Sequence, residues 1–448
     1  MKHKFTLLVH LCLVLSVFIL PGSCKKGDHH HEDHQDMLTK NYSSDVLKEW
    51  IKLNLQLLRS NDAKLNNFVM MHHWAYSSIA LYEAVLPGMP SYRSLSGQLT
   101  DMPAMPKIEY HKDYHWPTCA NTVLAAMTRN FYVDSITQGG KDSIGLLEES
   151  LNKQYQKEID KSVFERSRLF GKEIAARVYS WGVADGYTKK HPPYTLPTGP
   201  GQWQKTPPAF SAPQRPYWGS NRPLVPGSLS ASQLPPPPSF SSDTKSEFFK
   251  SAKEVYNLRN KLSADEQAQI RFWRDVPGGG HAHWLSIFLQ VLEQEGNRAM
   301  LDKAALVFVK MGITQSDARV SCWSAKYINN LVRPITYINE FIAPKKDWNT
   351  FINTPNHPEY PSAHSSFSAP AASILTREFG KNYSFTDRTY YFLPLPARTY
   401  KSFDHAATEA GNSRVLAGLH YRFSVAAGSE LGNNIANYME RKIMFTKR

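Results

Sequence analysis

The sequence predicts an all-α protein that is interrupted by one long proline-rich segment. Apolar residues recur at three- and four-residue steps along much of the chain, as at Val46, Trp50 and Leu53, and this spacing is typical of a helix face. No long stretch of the second half alternates apolar and polar residues in the manner of a half-buried strand. Residues 192–238 contain fourteen of the 29 prolines, so no helix can run through that stretch.

The helical pattern falls into two series, one on each side of the prolines. Helices are expected at residues 46–57, 68–86, 121–131 and 141–187, and then, resuming at residue 245, at 264–275, 282–295, 298–311 and 315–332. Pro87-Gly88 ends the second helix, and Gly278–Gly280 interrupts the later series. His72 and His73 are adjacent inside the second helix and do not share a face, so we interpret them as packing or surface residues.

The segment between the two series, residues 188–243, is expected to be ordered. It carries Trp203, Tyr217 and Trp218, aromatic side chains that a merely flexible linker would not need. We therefore predict an excursion that lies over the helical body near the mouth of a pocket.

The N-terminus has the pattern of an export signal. Lys2 and Lys4 precede an apolar run at residues 5–20, which is short for a membrane span and suits the core of a signal peptide. The small residues before Cys24 resemble a bacterial lipoprotein cleavage site. We expect an exported protein held in the cell envelope, periplasm-facing or at the cell surface, by a lipid on Cys24. The alternative is a plain secretory signal in which Cys24 is incidental.

These patterns divide the chain into five parts. They are a signal peptide (1–24), a polar His-rich tether (25–40), an N-terminal helical part (41–187), the proline-rich excursion (188–243) and a C-terminal helical region that carries the catalytic motifs (244–448). Beyond Cys24 the cysteines are Cys119 and Cys322, which either pair in an oxidising compartment or stay as two separate buried thiols.

Composition favours an enzyme that attracts anions over a nucleic-acid-binding protein. The 448 residues carry a net charge of +13, but no long block of lysine and arginine and no basic stripe interleaved with aromatic residues. We therefore expect no nucleic-acid partner. A basic balance suits an anionic small-molecule substrate.

The stretch from Thr354 to Ser366 is the centre of the functional prediction. Its three prolines keep the backbone out of a helix, and the small residues that follow lead into an apolar helical run. This is a rigid loop that ends at a helix N-terminus, where free N–H groups and the helix dipole favour an anion. Ser362 adds a hydroxyl donor there, and His364 adds a titratable ring.

Two basic motifs flank that loop along the chain. Lys326 is followed, after six residues, by Arg333-Pro334, and Ser413-Arg414 is followed, after five residues, by His420. Lys326 and Arg333 are seven residues apart, so on one helix they would share a face. Arg414 and His420 are six apart and would need a bend to meet at one ligand. Together these groups match the charge of a tetrahedral oxyanion.

The three motifs, in this order, resemble the signature of the superfamily that joins type 2 phosphatidic acid phosphatases and vanadium-dependent haloperoxidases, which is built from helical bundles. Two positions depart from the family pattern: Ala363 replaces the usual glycine, and Ser424 stands where an aspartate often follows the last histidine by four residues. Because serine brings no charge, we expect Ser424 to weaken the basicity of His420.

The resemblance implies a role for each motif residue. The oxyanion or vanadate would be bound by Lys326, Arg333, Ser362, the Ala363 N–H, Arg414 and His420. His420 would be the axial ligand of vanadium, or the nucleophile on phosphorus, and His364 would be the general acid–base.

Three supporting residues are implied by matches outside the motifs. Trp323 fits a tryptophan near the vanadate site, and Asp275 fits an aspartate that pairs with the arginine here numbered Arg414. His357 occupies a position that resembles one held by phenylalanine in chloroperoxidases and histidine in bromoperoxidases. His281 and His283, in a glycine-rich stretch, are interpreted as surface residues and kept out of the site.

Taken together, the resemblance implies a haloperoxidase-like enzyme that oxidises bromide or iodide with hydrogen peroxide, with vanadate as its cofactor. The absence of a transmembrane run beyond the leader sets the sequence apart from lipid phosphatases, and His357 favours the same branch. One alternative is an acid phosphatase that hydrolyses phosphate esters through phospho-His420 and needs no vanadate. Another is a non-catalytic lipoprotein that binds an oxyanion or a partner.

Overall fold

A single long helix organises the packing of all the others. The computed structural model describes residues 38–60, 65, 67–276, 282–344 and 347–447. Within them the first helices are α1 (Asp45–Ser60), α2 (Asn67–Val85), α3 (Trp116–Tyr132), α4 (Gln138–Tyr155) and α5 (Lys161–Val183). The later ones are α6 (Ser228–Ala231), α7 (Glu247–Arg259), α8 (Ala264–Phe272), α9 (His283–Glu295), α10 (Leu301–Asn329), α11 (Pro334–Tyr337), α12 (Ala363–Phe379), α13 (Phe403–Leu416) and α14 (Arg422–Lys442). The all-α prediction is confirmed.

Helix α10 is the central element. Its 29 residues are buried almost throughout, because α2 covers one side and α12 and α14 cover the other. Buried residues on all sides are typical of a helix enclosed by neighbours, and those of α10 include the charged side chains of Lys310, Asp317 and Arg319. Helices α3, α4 and α5 pack beyond α2, and α13 packs against α12 and α14. Residues 37–448 therefore form one compact unit around α10.

The sequence prediction divided α10 into two helices, at 298–311 and 315–332, and that division is wrong. Gly312 lies at the expected break, but it is a point of close approach and not a stop. A Cβ atom added there would lie 2.1 Å from Ser78 Oγ and 3.1 Å from Ala75 Cα, both on α2. The missing side chain lets the two helices touch, which local propensity does not reveal.

The proline-rich excursion is ordered and lies against the segments that carry the site. Trp203 and Trp218 are buried. The Trp203 N–H donates to the Asn330 carbonyl (2.7 Å), and the Val332 N–H donates to the Gly201 carbonyl (2.8 Å). The Gln214 N–H reaches the Asn356 carbonyl at 2.8 Å. These bonds tie the excursion to the end of α10 and to the loop before α12.

Two short strands were not predicted from the sequence, nor was the break at residues 156–160 that divides the helix expected at 141–187 into α4 and α5. Strand β1 (Phe385–Asp387) pairs antiparallel with β2 (Arg398–Tyr400), with Phe385 opposite Tyr400. Three residues are too few for an alternating pattern to stand out in a sequence. The pair closes the segment between α12 and α13.

Several smaller predictions also have outcomes. His72 and His73 are buried, so the packing interpretation is confirmed. Cys119 and Cys322 are separate buried thiols. The predicted leader, Cys24 and the tether up to residue 37 lie outside the described residues, as do Gly278–Gly280 and His281. None of the described helices is both long enough and apolar enough to cross a membrane.

Candidate active site

The loop before α12 delivers its last residue to the start of that helix, as the prolines predicted. Ser362 is the extended N-cap of α12, and Ala363 and His364 are its first two residues. The Ser362 N–H donates to the Ser424 carbonyl of α14 at 3.0 Å. All four residues are buried. The N-terminus of α12 is thus fixed against α14, with its first N–H groups at the centre of the protein.

Lys326 holds the loop from the other side. Its buried ammonium group donates to the carbonyl oxygens of Pro358 and Glu359, each at 3.0 Å, and to that of Pro361. Burial, with the nearby charge of Arg333, lowers the pKa of Lys326 to about 7. The three carbonyls match the three N–H donors of the ammonium group, so Lys326 supports the loop directly.

Arg333 reaches the same loop from a different element. Helix α10 ends at Asn329, Asn330 adopts a left-handed conformation (φ 43°), and Arg333 becomes the N-cap of α11. The prediction that Lys326 and Arg333 share a helix face is therefore wrong. Arg333 nevertheless converges on the loop, since its Nε and Nη2 donate to the His357 carbonyl at 3.0 and 2.9 Å. Burial lowers the pKa of Arg333 to about 10.

His420 is oriented by a carboxylate that the sequence analysis overlooked. Its Nε2 lies 3.2 Å from Arg333 Nη1, and its Nδ1 lies 2.8 Å from Glu359 Oε1. Because a guanidinium group can only donate, Nε2 is the acceptor nitrogen and Nδ1 carries the proton. Burial lowers the pKa of His420 far below its usual value, so the ring is neutral. The arrangement holds the Nε2 lone pair on the side of the basic residues.

Glu359 itself is completely buried within the loop. The same Oε1 also accepts the Tyr421 N–H at 3.0 Å. Burial raises the pKa of this carboxyl to about 7, against the opposing charges of Arg333 and Lys326. A carboxylate behind a ligating or nucleophilic histidine fixes its tautomer and increases its basicity.

The expected consequence of Ser424 therefore does not follow. Its Oγ is buried and lies 3.5 Å from the Glu359 carbonyl oxygen, while the second nitrogen of His420 is held by the Glu359 side chain. The charge missing at position 424 is supplied from the loop. The available signal was an acidic residue placed three positions before Ser362, between two prolines.

His364 and Arg414 converge on one backbone oxygen. The Trp273 carbonyl accepts from His364 Nε2 at 2.9 Å and from Arg414 Nη1 at 3.0 Å. Nε2 of His364 therefore carries a hydrogen, and in the neutral form of the ring Nδ1 would be the basic nitrogen. Burial lowers the pKa of Arg414 to about 10, and the charge of Asp275 opposes that shift. The predicted pairing of Asp275 with Arg414 stays a prediction.

The chain between Arg414 and His420 makes the bend that their spacing required. Helix α13 ends at Leu416, and Gly418 has a positive φ of 84°. The N–H groups of Leu419 and His420 then turn back to the Arg414 carbonyl at 3.0 and 3.3 Å.

Trp273 is locked by a buried histidine, and this overturns another prediction. His283, interpreted from the sequence as a surface residue, is fully buried. Its ring stacks on Trp273 with the centroids 4.2 Å apart, and its Nε2 lies 2.6 Å from Asp387 Oδ2 on β1. Trp273 Nε1 also donates to Glu409 at 3.0 Å. His283 thereby steadies the residue whose carbonyl serves His364 and Arg414.

The two supporting residues near the loop lie together. The Trp323 and His357 rings have centroids 5.0 Å apart, and His357 Nδ1 lies 3.1 Å from Arg333 Nη2. Trp323 Nε1 donates to the Gln214 carbonyl of the excursion at 3.2 Å. His357 therefore contacts Arg333, and Trp323 lies between His357 and the proline-rich excursion.

The combined charges fit a bound oxyanion. Lys326, Arg333 and Arg414 are all buried, and burial lowers the pKa of each. Their contacts are mostly with carbonyl groups, which satisfy hydrogen bonds without supplying a unit of negative charge. Within the described chain, Arg414 Nε is buried without a hydrogen-bond partner. A tetrahedral anion beside Arg333, Arg414, the start of α12 and His420 would supply the missing charge.

These features define an all-α protein in which the residues of the three motifs meet at the buried start of α12. Residues 306–446 match the family model for the VCPO second helical-bundle domain. A search of curated proteins found no significant match. The structure is similar to that of a bacterial vanadium-dependent iodoperoxidase, with 30% identity, 91% of this chain and 99% of that chain covered, and a TM-score of 0.82.

More distant structures show the same fold. The holo and apo forms of a bacterial vanadium-dependent chloroperoxidase match with TM-scores of 0.62 each and identities of 14% and 12%. They cover 84% and 85% of this chain, and 93% and 95% of their own chains. On the strength of the iodoperoxidase match, the chain belongs to the vanadium-dependent haloperoxidases, and it is an enzyme of that family.

Proposed function

We propose that this enzyme oxidises iodide or bromide with hydrogen peroxide while vanadate is bound beside His420. The observation that carries the proposal is the neutral His420 ring, with its Nδ1 on Glu359 and its Nε2 turned toward Arg333. A similar fold is found in a bacterial vanadium-dependent iodoperoxidase. When bound, vanadate supplies the Lewis acidity that activates peroxide for a two-electron oxidation of halide.

The chain's own residues have separate tasks in this proposal. Arg333 and Arg414 supply positive charge, and the N–H of Ala363 and the hydroxyl of Ser362 supply neutral donors at the start of α12. Glu359 keeps the proton of His420 on Nδ1, so that Nε2 remains a ligand. Lys326 acts through the loop, because its donors are used by the loop carbonyls.

His364 would act as the general acid–base that transfers a proton during the reaction. The Trp273 carbonyl accepts a hydrogen bond from His364 Nε2, and we assign Nδ1 as the nitrogen that takes up and returns a proton. Arg414 is bound to the same carbonyl, so the proton carrier and one anion-binding residue keep a fixed relation. Such fixed geometry is what general acid–base catalysis needs.

His357 supports the choice of iodide or bromide over chloride. It contacts both Arg333 and Trp323, so a change there alters the wall of the pocket without removing a vanadate-binding residue. We expect His357→Phe to shift the ratio of kcat/KM values among chloride, bromide and iodide. An unchanged ratio would exclude His357 as a determinant of halide preference.

The test uses purified residues 37–448. We would measure iodide, bromide and chloride oxidation with peroxide, with and without orthovanadate, beside hydrolysis of nitrophenyl phosphate. We expect vanadate-dependent oxidation of iodide and bromide that is lost in His420→Ala and kept in His405→Ala, which changes an exposed histidine of α13. Phosphate ester hydrolysis that vanadate inhibits, without halide oxidation, would assign the pocket to a phosphatase.

We also propose that the protein is exported and anchored by a lipid on Cys24. The support is the charged, apolar and small-residue pattern of residues 1–24. Metabolic labelling with a fatty acid should mark the wild type and not Cys24→Ser, and the variant should leave the membrane fraction. Equal membrane retention of both would contradict the anchor.

A further inference from the structure

A second cavity lies on the outer face, away from the motif residues. Its volume is about 830 Å³, within the usual range for small-molecule sites. Its walls come from α1, α9 and the β1 segment. Buried Leu55, Leu289 and Phe385 form an apolar floor, and Tyr391 and Phe392 stand at the rim.

The rim is unusual for a protein surface. Tyr391 is 75% exposed and Phe392 is 37% exposed. Arg59 lies over both rings, with its guanidinium carbon 4.3 Å from the Phe392 centroid and 5.1 Å from the Tyr391 centroid. Its Nη1 also donates to the Tyr391 hydroxyl at 3.0 Å. The arginine and the two rings are therefore already arranged around the opening.

The charge at this cavity is unbalanced. Lys52 is matched by Glu293 at 3.2 Å and by Glu49 at 3.0 Å. No carboxylate in the described part of the chain forms an ion pair with Arg59 or Arg388, which also line the cavity. Among the described residues, a ligand that enters the cavity therefore meets an apolar floor and two arginines that have no carboxylate partner.

We propose that this cavity binds a small aromatic anion, such as an aryl carboxylate or sulfonate. A planar ring would rest on Leu289 and Phe385, beside Tyr391 and Phe392. Its acidic group would meet Arg59 and Arg388, whose forked donors suit a carboxylate or sulfonate. The proposal does not depend on the halide chemistry, because none of these residues belongs to the vanadate pocket.

The experiment measures binding of 8-anilinonaphthalene-1-sulfonate to residues 37–448 by its fluorescence. We expect saturable binding at one site, weakened about tenfold by the double substitution Arg59→Gln and Arg388→Gln, since each surface charge contributes modestly. Naphthalene-2-sulfonate should displace the probe, and uncharged naphthalene should displace it much less well. His420→Ala should bind the probe like the wild type.

The matched control is Arg177→Gln. Arg177 lines a different surface hollow of about 500 Å³, beside Trp181, so it tests for unspecific attraction between cations and the probe. The proposal fails if the double variant binds like the wild type with an unchanged melting temperature, or if Arg177→Gln weakens binding equally. It also fails if binding does not saturate. Dimerisation that the double variant abolishes would assign the cavity to a second copy of the chain and overturn the small-ligand proposal.

Discussion

Replacing Glu359 by glutamine tests the central contact of the site. The change preserves the size of the side chain and its ability to accept a hydrogen bond, but it removes the charge 2.8 Å from His420 Nδ1. A hydrogen bond to a charged group contributes about 1.5–3 kcal/mol. Since about 1.4 kcal/mol corresponds to a factor of ten, we expect vanadate affinity or kcat/KM to fall about 10- to 100-fold.

The same substitution should lower activity without lowering the stability of the protein at high pH. Burial raises the pKa of Glu359 from 4.5 to about 7, so its carboxylate is less favourable in the folded protein than in the unfolded chain. The stability that this group contributes is full below pH 4.5 and is lost as the pH rises through 7. A shift of this size corresponds to about 3 kcal/mol. Glu359→Gln lacks this loss and should be no less stable than the wild type at pH 8.

The assay is a titration of the vanadate-free protein with orthovanadate, together with iodide oxidation between pH 5 and 9. The defect of Glu359→Gln should be largest above pH 7 and shrink below it, because the wild-type carboxyl is then protonated as well. Glu254→Gln is the control, since Glu254 is a half-buried acid paired with Arg422 at the start of α14. Wild-type vanadate affinity and activity at pH 8 in Glu359→Gln would refute the role of the carboxylate.

Three further predictions concern the support of the loop. Lys326→Met leaves three buried carbonyl groups without their hydrogen-bond donor. The free energy of unfolding of the vanadate-free protein, measured in urea, should therefore fall by about 3 kcal/mol or more. Unchanged stability would show that the ammonium group does not hold the loop. Gly428→Ala places a Cβ atom 2.5 Å from the Ser362 carbonyl oxygen and should cost about 1–3 kcal/mol and weaken vanadate binding. By contrast, a Cβ atom added at Gly145 has no neighbour within 4 Å, so Gly145→Ala should stabilise α4 by about 0.5–1 kcal/mol. Equal melting temperatures for Gly428→Ala and Gly145→Ala would contradict the packing argument. Sulfate should raise the melting temperature more at pH 6 than at pH 9, because Lys326 and Glu359 both have a pKa of about 7 and both make the site less positive at the higher pH. An equal effect of sulfate at the two pH values would contradict this reasoning.

The helices and the motif order could be predicted because both are local properties. Apolar spacing marks a helix face wherever the helix meets a core, and the prolines before Ser362 define an extended entry to α12. The break in α10 was predicted wrongly because Gly312 allows close packing against α2, which is distant in sequence. His283 was misassigned for the same reason, since its partner Asp387 lies about a hundred residues away.

The geometry of the site was harder to predict because backbone carbonyl groups hold its side chains in place. A sequence shows that Lys326 and Arg333 are basic, but not that carbonyl oxygens of the loop will accept their hydrogen bonds. It shows an acid at Glu359 without showing that the loop turns this side chain toward His420. The directions of carbonyl groups depend on the whole fold. A sequence motif therefore identifies the residues of a site but not the contacts that hold them in place.

These hydrogen bonds to backbone carbonyl groups explain how the basic residues of the site can keep their positive charge. Carbonyl oxygens accept hydrogen bonds from Lys326, Arg333 and Arg414 and fix their positions, but they supply no unit of negative charge. Glu359, the carboxylate that touches His420, is turned to the Nδ1 side of the ring and away from Nε2. The basic groups are therefore held in place before any anion arrives, and their attraction remains available to it. Such preorganised charge is the condition under which a buried site binds an oxyanion strongly and holds it without rearrangement.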